Sequence, residues 1–174
     1  MNYADIKQYD VANGPGVRIS LFVSGCTHRC PNCFNEVAWD FDYGQPFTEE
    51  TIETLIQYLE PSYIWGLTLL GGEPMEHSNQ KGLLPLLRKL KACYPNKTIW
   101  CFSGYLFEDM VGRMMKEWPE TSELLSYIDV MVDGEYVEAQ KDLSKRFKGS
   151  ANQRTIDVPA SLREGHVVLV EGYE

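Results

Sequence analysis

Apolar runs of strand length alternate along this chain with stretches of helical period, and that alternation admits few architectures. Strands that alternate with helices read as βα units and a mainly parallel sheet, an α/β class. VRISLFVSG (residues 17–25) reads as the first strand and delivers the chain into a cysteine-rich loop. TEETIETLIQYL (48–59) is predicted helical. Thr48 suits the N-cap, glutamates fill the first turn, Ile52, Leu55, Ile56 and Leu59 form one apolar stripe, and Pro61 ends it. IWGLTLLGG (64–72) is a second strand, and KGLLPLLRKLKACY is a helix that starts late, near Pro85, or kinks there.

KTIWCFSG (97–104) is a third strand, followed by a Met-rich helical stretch, EDMVGRMMKEW, whose apolar residues read as core. PETSELLSYI is a further helix and DVMVDG (129–134) a fourth, buried strand. KDLSKRFKGSANQR (141–154) is basic and polar and reads as a loop, and HVVLVEGY suggests a terminal strand. With 174 residues, 44% of them hydrophobic, and with no repeat, low-complexity tract or linker, residues 1–174 are expected to form one domain.

The formal charge of −9 argues against a phosphate-backbone binder, so no nucleic-acid partner is expected. The N-terminal MNYADIKQYD is polar, and no apolar run approaches the ~20 residues of a membrane span, so the expectation is a cytoplasmic protein without a membrane partner. In that compartment five cysteines point to metal or redox chemistry, because thiols stay reduced and an odd number cannot pair off.

Three of those cysteines, Cys26, Cys30 and Cys33, fall within CTHRCPNC, directly after the first strand. Loops at the carboxyl ends of parallel strands converge on a shared crevice, where ligands collect. Thiolates suit zinc, copper(I) and iron–sulfur clusters, and both a structural zinc and a fully protein-ligated cluster want four ligands. Cys93 at a helix end and Cys101 inside a strand read as packed thiols. Three readings stay open on spacing alone. One is a cubane cluster with three irons held and a fourth left for a non-protein ligand; another is a non-catalytic zinc module completed by His28 or His77; the third is a purely structural loop. GGEP (71–74) follows the second strand and faces the same crevice. It reads either as a tight turn or as a place where bare backbone approaches a small molecule while Glu73 accepts hydrogen bonds from an ammonium group.

A CxxxCxxC loop after the first strand and a Gly-Gly-Glu-Pro motif after the second resemble the radical S-adenosylmethionine enzymes. NGPGVR, LFVSGCTHRCPNCFN, GGEP, DVMVDG and FKGSANQR, in that order, resemble more closely the family that activates anaerobic ribonucleoside-triphosphate reductases. The resemblance implies an incomplete parallel (βα) barrel. It implies that Cys26, Cys30 and Cys33 ligate a 4Fe-4S cluster whose open iron is chelated by S-adenosylmethionine, with Gly71, Gly72 and Glu73 holding the amino group. Reductive cleavage then yields a 5′-deoxyadenosyl radical that takes hydrogen from a glycine of the reductase catalytic subunit, and a flavodoxin- or ferredoxin-like protein supplies the electron. Activation of another glycyl radical enzyme, such as a formate lyase, is the alternative within the same chemistry.

Ser103 and Gly104, ending the third strand, and Asp133, ending the fourth, are further candidates for contacts to the cofactor. Asn13, Gly14 and Arg18, with Asn152 and Gln153, are candidates for the active-site rim or the reductase contact. Many radical S-adenosylmethionine enzymes carry an aromatic residue just before the third cysteine to contact adenine. Here that place is Asn32, the aromatic Phe34 follows the cysteine, and the adenine contact is left unassigned.

Overall fold

The computed structural model describes residues 1–174. Its strands are β1 (Asn2–Asp10), β2 (Val17–Val23), β3 (Gln45–Pro46), β4 (Ile64–Gly71), β5 (Thr98–Phe102), β6 (Val130–Asp133) and β7 (Arg154–Asp157). They form one sheet in the order β3-β1-β2-β4-β5-β6-β7. Strands β2, β4, β5 and β6 pair in parallel, as the alternating pattern predicts. The flanking strands β1, β3 and β7 pair antiparallel, and β3 and β7 remain as two separate edges, so the sheet is not closed.

The helices α1 (Glu49–Leu59), α2 (His77–Cys93), α5 (Pro119–Tyr127) and α6 (Val158–Glu164) join two short ones, α3 (Phe107–Asp109) and α4 (Met115–Glu117). A π-helical turn, Met110–Met114, links α3 to α4. Thr48 caps α1 as expected, accepting from the Thr51 N–H at 3.3 Å. Helix α2 continues without interruption through Pro85 from a start at His77, so the late start is corrected. The carbonyl that Pro85 leaves without its partner belongs to Lys81, and both residues face water, which can serve it instead.

Alternate strand residues separate two faces. Ile19, Leu21 and Val23 of β2, Leu67 and Leu69 of β4, Ile99 and Cys101 of β5 and Met131 of β6 belong to the apolar core. They share it with Leu55 and Leu59 of α1, Leu83, Leu87 and Leu90 of α2, and Met110, Met114 and Leu124. Each such leucine, fully buried, contributes about 1.5–3 kcal/mol of transfer free energy. Phe22, Leu70, Phe102 and Val132 have the opposite parity and line a cavity on the other side of the sheet.

The antiparallel strands differ from the sequence-based expectation. The expected terminal strand at HVVLVEGY is instead an irregular segment that touches β7 through a single bridge, Ile156 to Leu169. The strand that does form there is β7, only four residues long and too short for periodicity to reveal. Strand β1 alternates half-buried with exposed residues, but its polar composition hides the pattern.

Candidate metal and cofactor site

The loops after the four parallel strands meet around a cavity of about 400 Å³. The loop after β2 brings Cys26, Cys30 and Cys33 to its wall; that after β4 brings Gly71, Gly72 and Glu73; that after β5 brings Ser103 and Gly104; that after β6 brings Gly134 and Glu135. All five cysteines are free thiols. Cys101 lies in the core and Cys93 is exposed at the end of α2, and neither lines the cavity. Burial pushes the Cys26 thiol up to about 11, partly offset by backbone hydrogen bonds. Burial, followed by the charge of Glu135, raises Cys30 as well. A metal must therefore displace protons from these sulfurs on binding.

The cysteine loop is held by its backbone. Gly25 N donates to Ala38 O at 2.7 Å, Cys26 N to Trp39 O at 3.2 Å, Gly72 N to Val23 O at 2.8 Å and Glu73 N to Gly25 O at 2.7 Å. Asn32 sits at a left-handed φ of 61°. Asn is several-fold enriched there, and a bulky aromatic side chain would be strained, which accounts for the Asn before Cys33. The glycine pair is required by close approach of one loop to the other. A Cβ on Gly71, whose φ is 108°, would stand 2.6 Å from Val23 N, and one on Gly72 would stand 2.6 Å from Gly25 O and 2.7 Å from Ala38 O. Those oxygens are main-chain atoms and cannot swing aside. Gly72→Ala is expected to cost about 1–3 kcal/mol, as overpacking does, and to lower the iron bound per chain on anaerobic reconstitution. Iron content and unfolding midpoint at wild-type values would show that the two loops are not clamped together.

Glu73 is 1% exposed and its carboxylate is fully engaged. Oε1 accepts from Gly104 N at 2.7 Å and pairs with His28 Nε2 at 2.8 Å; Oε2 accepts from Met75 N at 2.8 Å and from Ser103 Oγ at 2.9 Å. The carboxylate thus ties the β4 loop to the cysteine loop and the β5 loop. No acceptor direction is left over for an ammonium group in this arrangement.

The other expected residues divide. Asn13 and Gln153 line the cavity. Gln153 Nε2 donates to Gly134 O at 3.0 Å and Asn152 Nδ2 to Glu135 O at 2.8 Å, so both fasten the β6 loop. Asp133, Gly14, Arg18 and Asn152 are not on the wall. Asp133 is fully buried and accepts from Phe107 N at 2.8 Å and Arg154 Nε at 3.0 Å. Arg18 is also fully buried on the cavity side of the sheet, where Thr68, Thr98, Leu67 and Pro15 accept its hydrogen bonds and Gly14 packs against its stem.

The histidines do not complete a zinc site. His77 bonds Glu120 at 2.9 Å, stacks on Trp118 and lies off the cavity. Both His28 nitrogens are taken by carboxylates, Glu73 at 2.8 Å and Glu135 at 2.9 Å. Sequence reasoning considered His28 only as a metal ligand and passed over Glu135 and also Glu76, which accepts from Thr27 N and Thr27 Oγ1. Only a side chain's partners in space distinguish such roles.

Three soft thiols without a fourth protein sulfur suit a site-differentiated 4Fe-4S cluster. Trp39, on the same wall, has a buried indole N–H with no protein partner, a donor available to a bound group. A family model described as "4Fe-4S single cluster domain" matches residues 12–156. A protein of Enterobacteria phage T4 named anaerobic ribonucleoside-triphosphate reductase-activating protein is 42% identical over 154 residues, 88% of this chain and 92% of its own. Proteins of the same name from Vibrio cholerae and Escherichia coli K12 are 39% and 37% identical over 155 residues, 88% of this chain and 96% of theirs. With the cysteine loop, the cavity and these likenesses together, the chain belongs to the family of anaerobic ribonucleoside-triphosphate reductase-activating proteins.

Proposed function

We propose that this chain is a radical S-adenosylmethionine enzyme that installs a glycyl radical on the catalytic subunit of an anaerobic ribonucleoside-triphosphate reductase. The observation that carries this reading is the set of three free thiols on the wall of a cavity at the carboxyl ends of four parallel strands. The open sheet, with its parallel centre, is in this reading the partial (βα) barrel that the resemblance implies.

Cys26, Cys30 and Cys33 would hold a 4Fe-4S cluster. When bound and reduced, it supplies the electron that splits the carbon–sulfur bond of S-adenosylmethionine into methionine and a 5′-deoxyadenosyl radical, which removes hydrogen from the reductase glycine. The chain's own residues supply orientation and shelter. The thiolates fix the cluster, and the backbone of Gly71 and Gly72 sets the distance between the β4 loop and the cysteine loop. Glu73 holds Ser103 and Gly104 in place beneath the cavity. Phe22, Leu70, Phe102 and Val132 give the floor an apolar surface that keeps water from a reactive carbon radical. The electron comes from a flavodoxin- or ferredoxin-like donor in the cytoplasm. No helix is long and apolar enough to cross a membrane.

The test is electron paramagnetic resonance of reduced, reconstituted protein mixed with S-adenosylmethionine and either the reductase or a formate lyase. A glycyl radical on the reductase is the expected result; a radical only on the lyase overturns the choice of partner.

A further inference from the structure

The imidazole of His28 touches the loops of all the other parallel strands. Its side chain, 9% exposed, reaches from the cysteine loop to Glu73 after β4, with Nε2 at 2.8 Å from Oε1. On its other side Nδ1 lies 2.9 Å from Glu135 Oε1, after β6. Between them the ring passes over the β5 loop. Its centroid is 4.4 Å from that of Tyr105, and a Cβ placed on Gly104 would stand 2.8 Å from Cδ2 and Nε2. The three heavy atoms nearest such a Cβ all belong to this ring, and Gly104 does not have a left-handed φ. Room for His28 is therefore what the structure requires of a glycine at this position. Both ring nitrogens are thus engaged, one by each carboxylate.

We propose that His28 is a positioning residue of this crevice: by bridging Glu73 and Glu135 across Gly104, it locks the cysteine loop to the other three strand-end loops and so fixes where S-adenosylmethionine lies against the cluster. This rests on the functional reading above. The cysteine loop has no helix or strand between Cys26 and Cys33. Hydrogen bonds from a rigid ring to two carboxylates are a direct way to give such a segment one position. Glu135 is half exposed, so its arm is the weaker one, and the buried Glu73 arm carries most of the constraint.

Gly104→Ala gives a test that leaves every thiol and carboxylate in place and adds one methyl group where the ring now lies. The readout is a titration of the reduced cluster with S-adenosylmethionine, followed by its electron paramagnetic resonance spectrum, in wild type, G104A, H28A and the double variant. G104A and H28A are each expected to retain wild-type iron content and to need on the order of tenfold more S-adenosylmethionine for the half-maximal spectral change, the size of one lost charge-assisted bond. The double variant is expected to match H28A alone, since both changes act through one ring. A wild-type midpoint for G104A, or penalties that add in the double variant, overturns the proposal. Should H28A fail to hold iron, alkylation of cluster-free protein by iodoacetamide decides: faster modification of Cys30 and Cys33 in both G104A and H28A supports the lock, and unchanged rates refute it. Wild-type protein whose spectrum ignores S-adenosylmethionine defeats the functional reading itself. A responsive wild type with unaltered variants defeats only the inference.

Discussion

Cys30→Ala is expected to reduce S-adenosylmethionine cleavage to background and to leave reconstituted protein without the brown colour of a cluster. No other sulfur can take the place of Cys30. Cys101 is buried in β5 on the helix-facing side of the sheet, and Cys93 is exposed at the end of α2. The loss should belong to the metal site rather than to folding. Cys30 is only half buried in an irregular loop, so the cluster-free variant should lose about 1 kcal/mol or less of stability. Denaturant unfolding of the cluster-free protein, beside iron analysis and 5′-deoxyadenosine release from the reconstituted one, separates the two effects. Retained cleavage would mean that the ligands are assigned wrongly.

Glu73→Gln is expected to be the most destabilising near-isosteric change at the site. Both carboxylate oxygens are acceptors, each already serving two protein donors. An amide must therefore turn its NH₂ toward a backbone N–H whichever way it is flipped. On one side this is Gly104 N and on the other Met75 N. With the side chain 1% exposed, water cannot relieve the mismatch. Unsatisfied buried donors to a lost charge cost about 2–4 kcal/mol, which for a chain of this length lowers the melting temperature by about 5–15 °C. Differential scanning calorimetry of the cluster-free variant measures this directly. A melting temperature equal to that of wild type would show that the carboxylate is not the strut described here, and Glu73 would again be a candidate for binding an ammonium group directly.

The parallel centre of the fold was legible because its strands are apolar runs that only a two-sided burial explains, and each ends beside the crevice. The antiparallel flanks were not. Strand β1 carries Asp5, Lys7, Gln8 and Asp10 among its residues, and β3 is the dipeptide Gln45–Pro46, so neither shows an apolar signature. That Cys26, Cys30 and Cys33 would face the crevice was legible because their loop directly follows an apolar strand. The role of Glu73 was not, because Ser103, Gly104 and His28 reach it from 30, 31 and 45 residues away in sequence. The enclosure of Asp133 was hidden for the same reason: the arginine and the helix start that occupy its carboxylate are distant along the chain.

In the proposed function three protein thiolates hold the cluster and the fourth iron is kept for S-adenosylmethionine. Mössbauer spectroscopy of iron-57-reconstituted protein, with and without S-adenosylmethionine, decides this. One iron site distinct from the other three is expected, with parameters that change when S-adenosylmethionine is added. Four irons that do not respond, or a colourless protein carrying stoichiometric zinc, would contradict it.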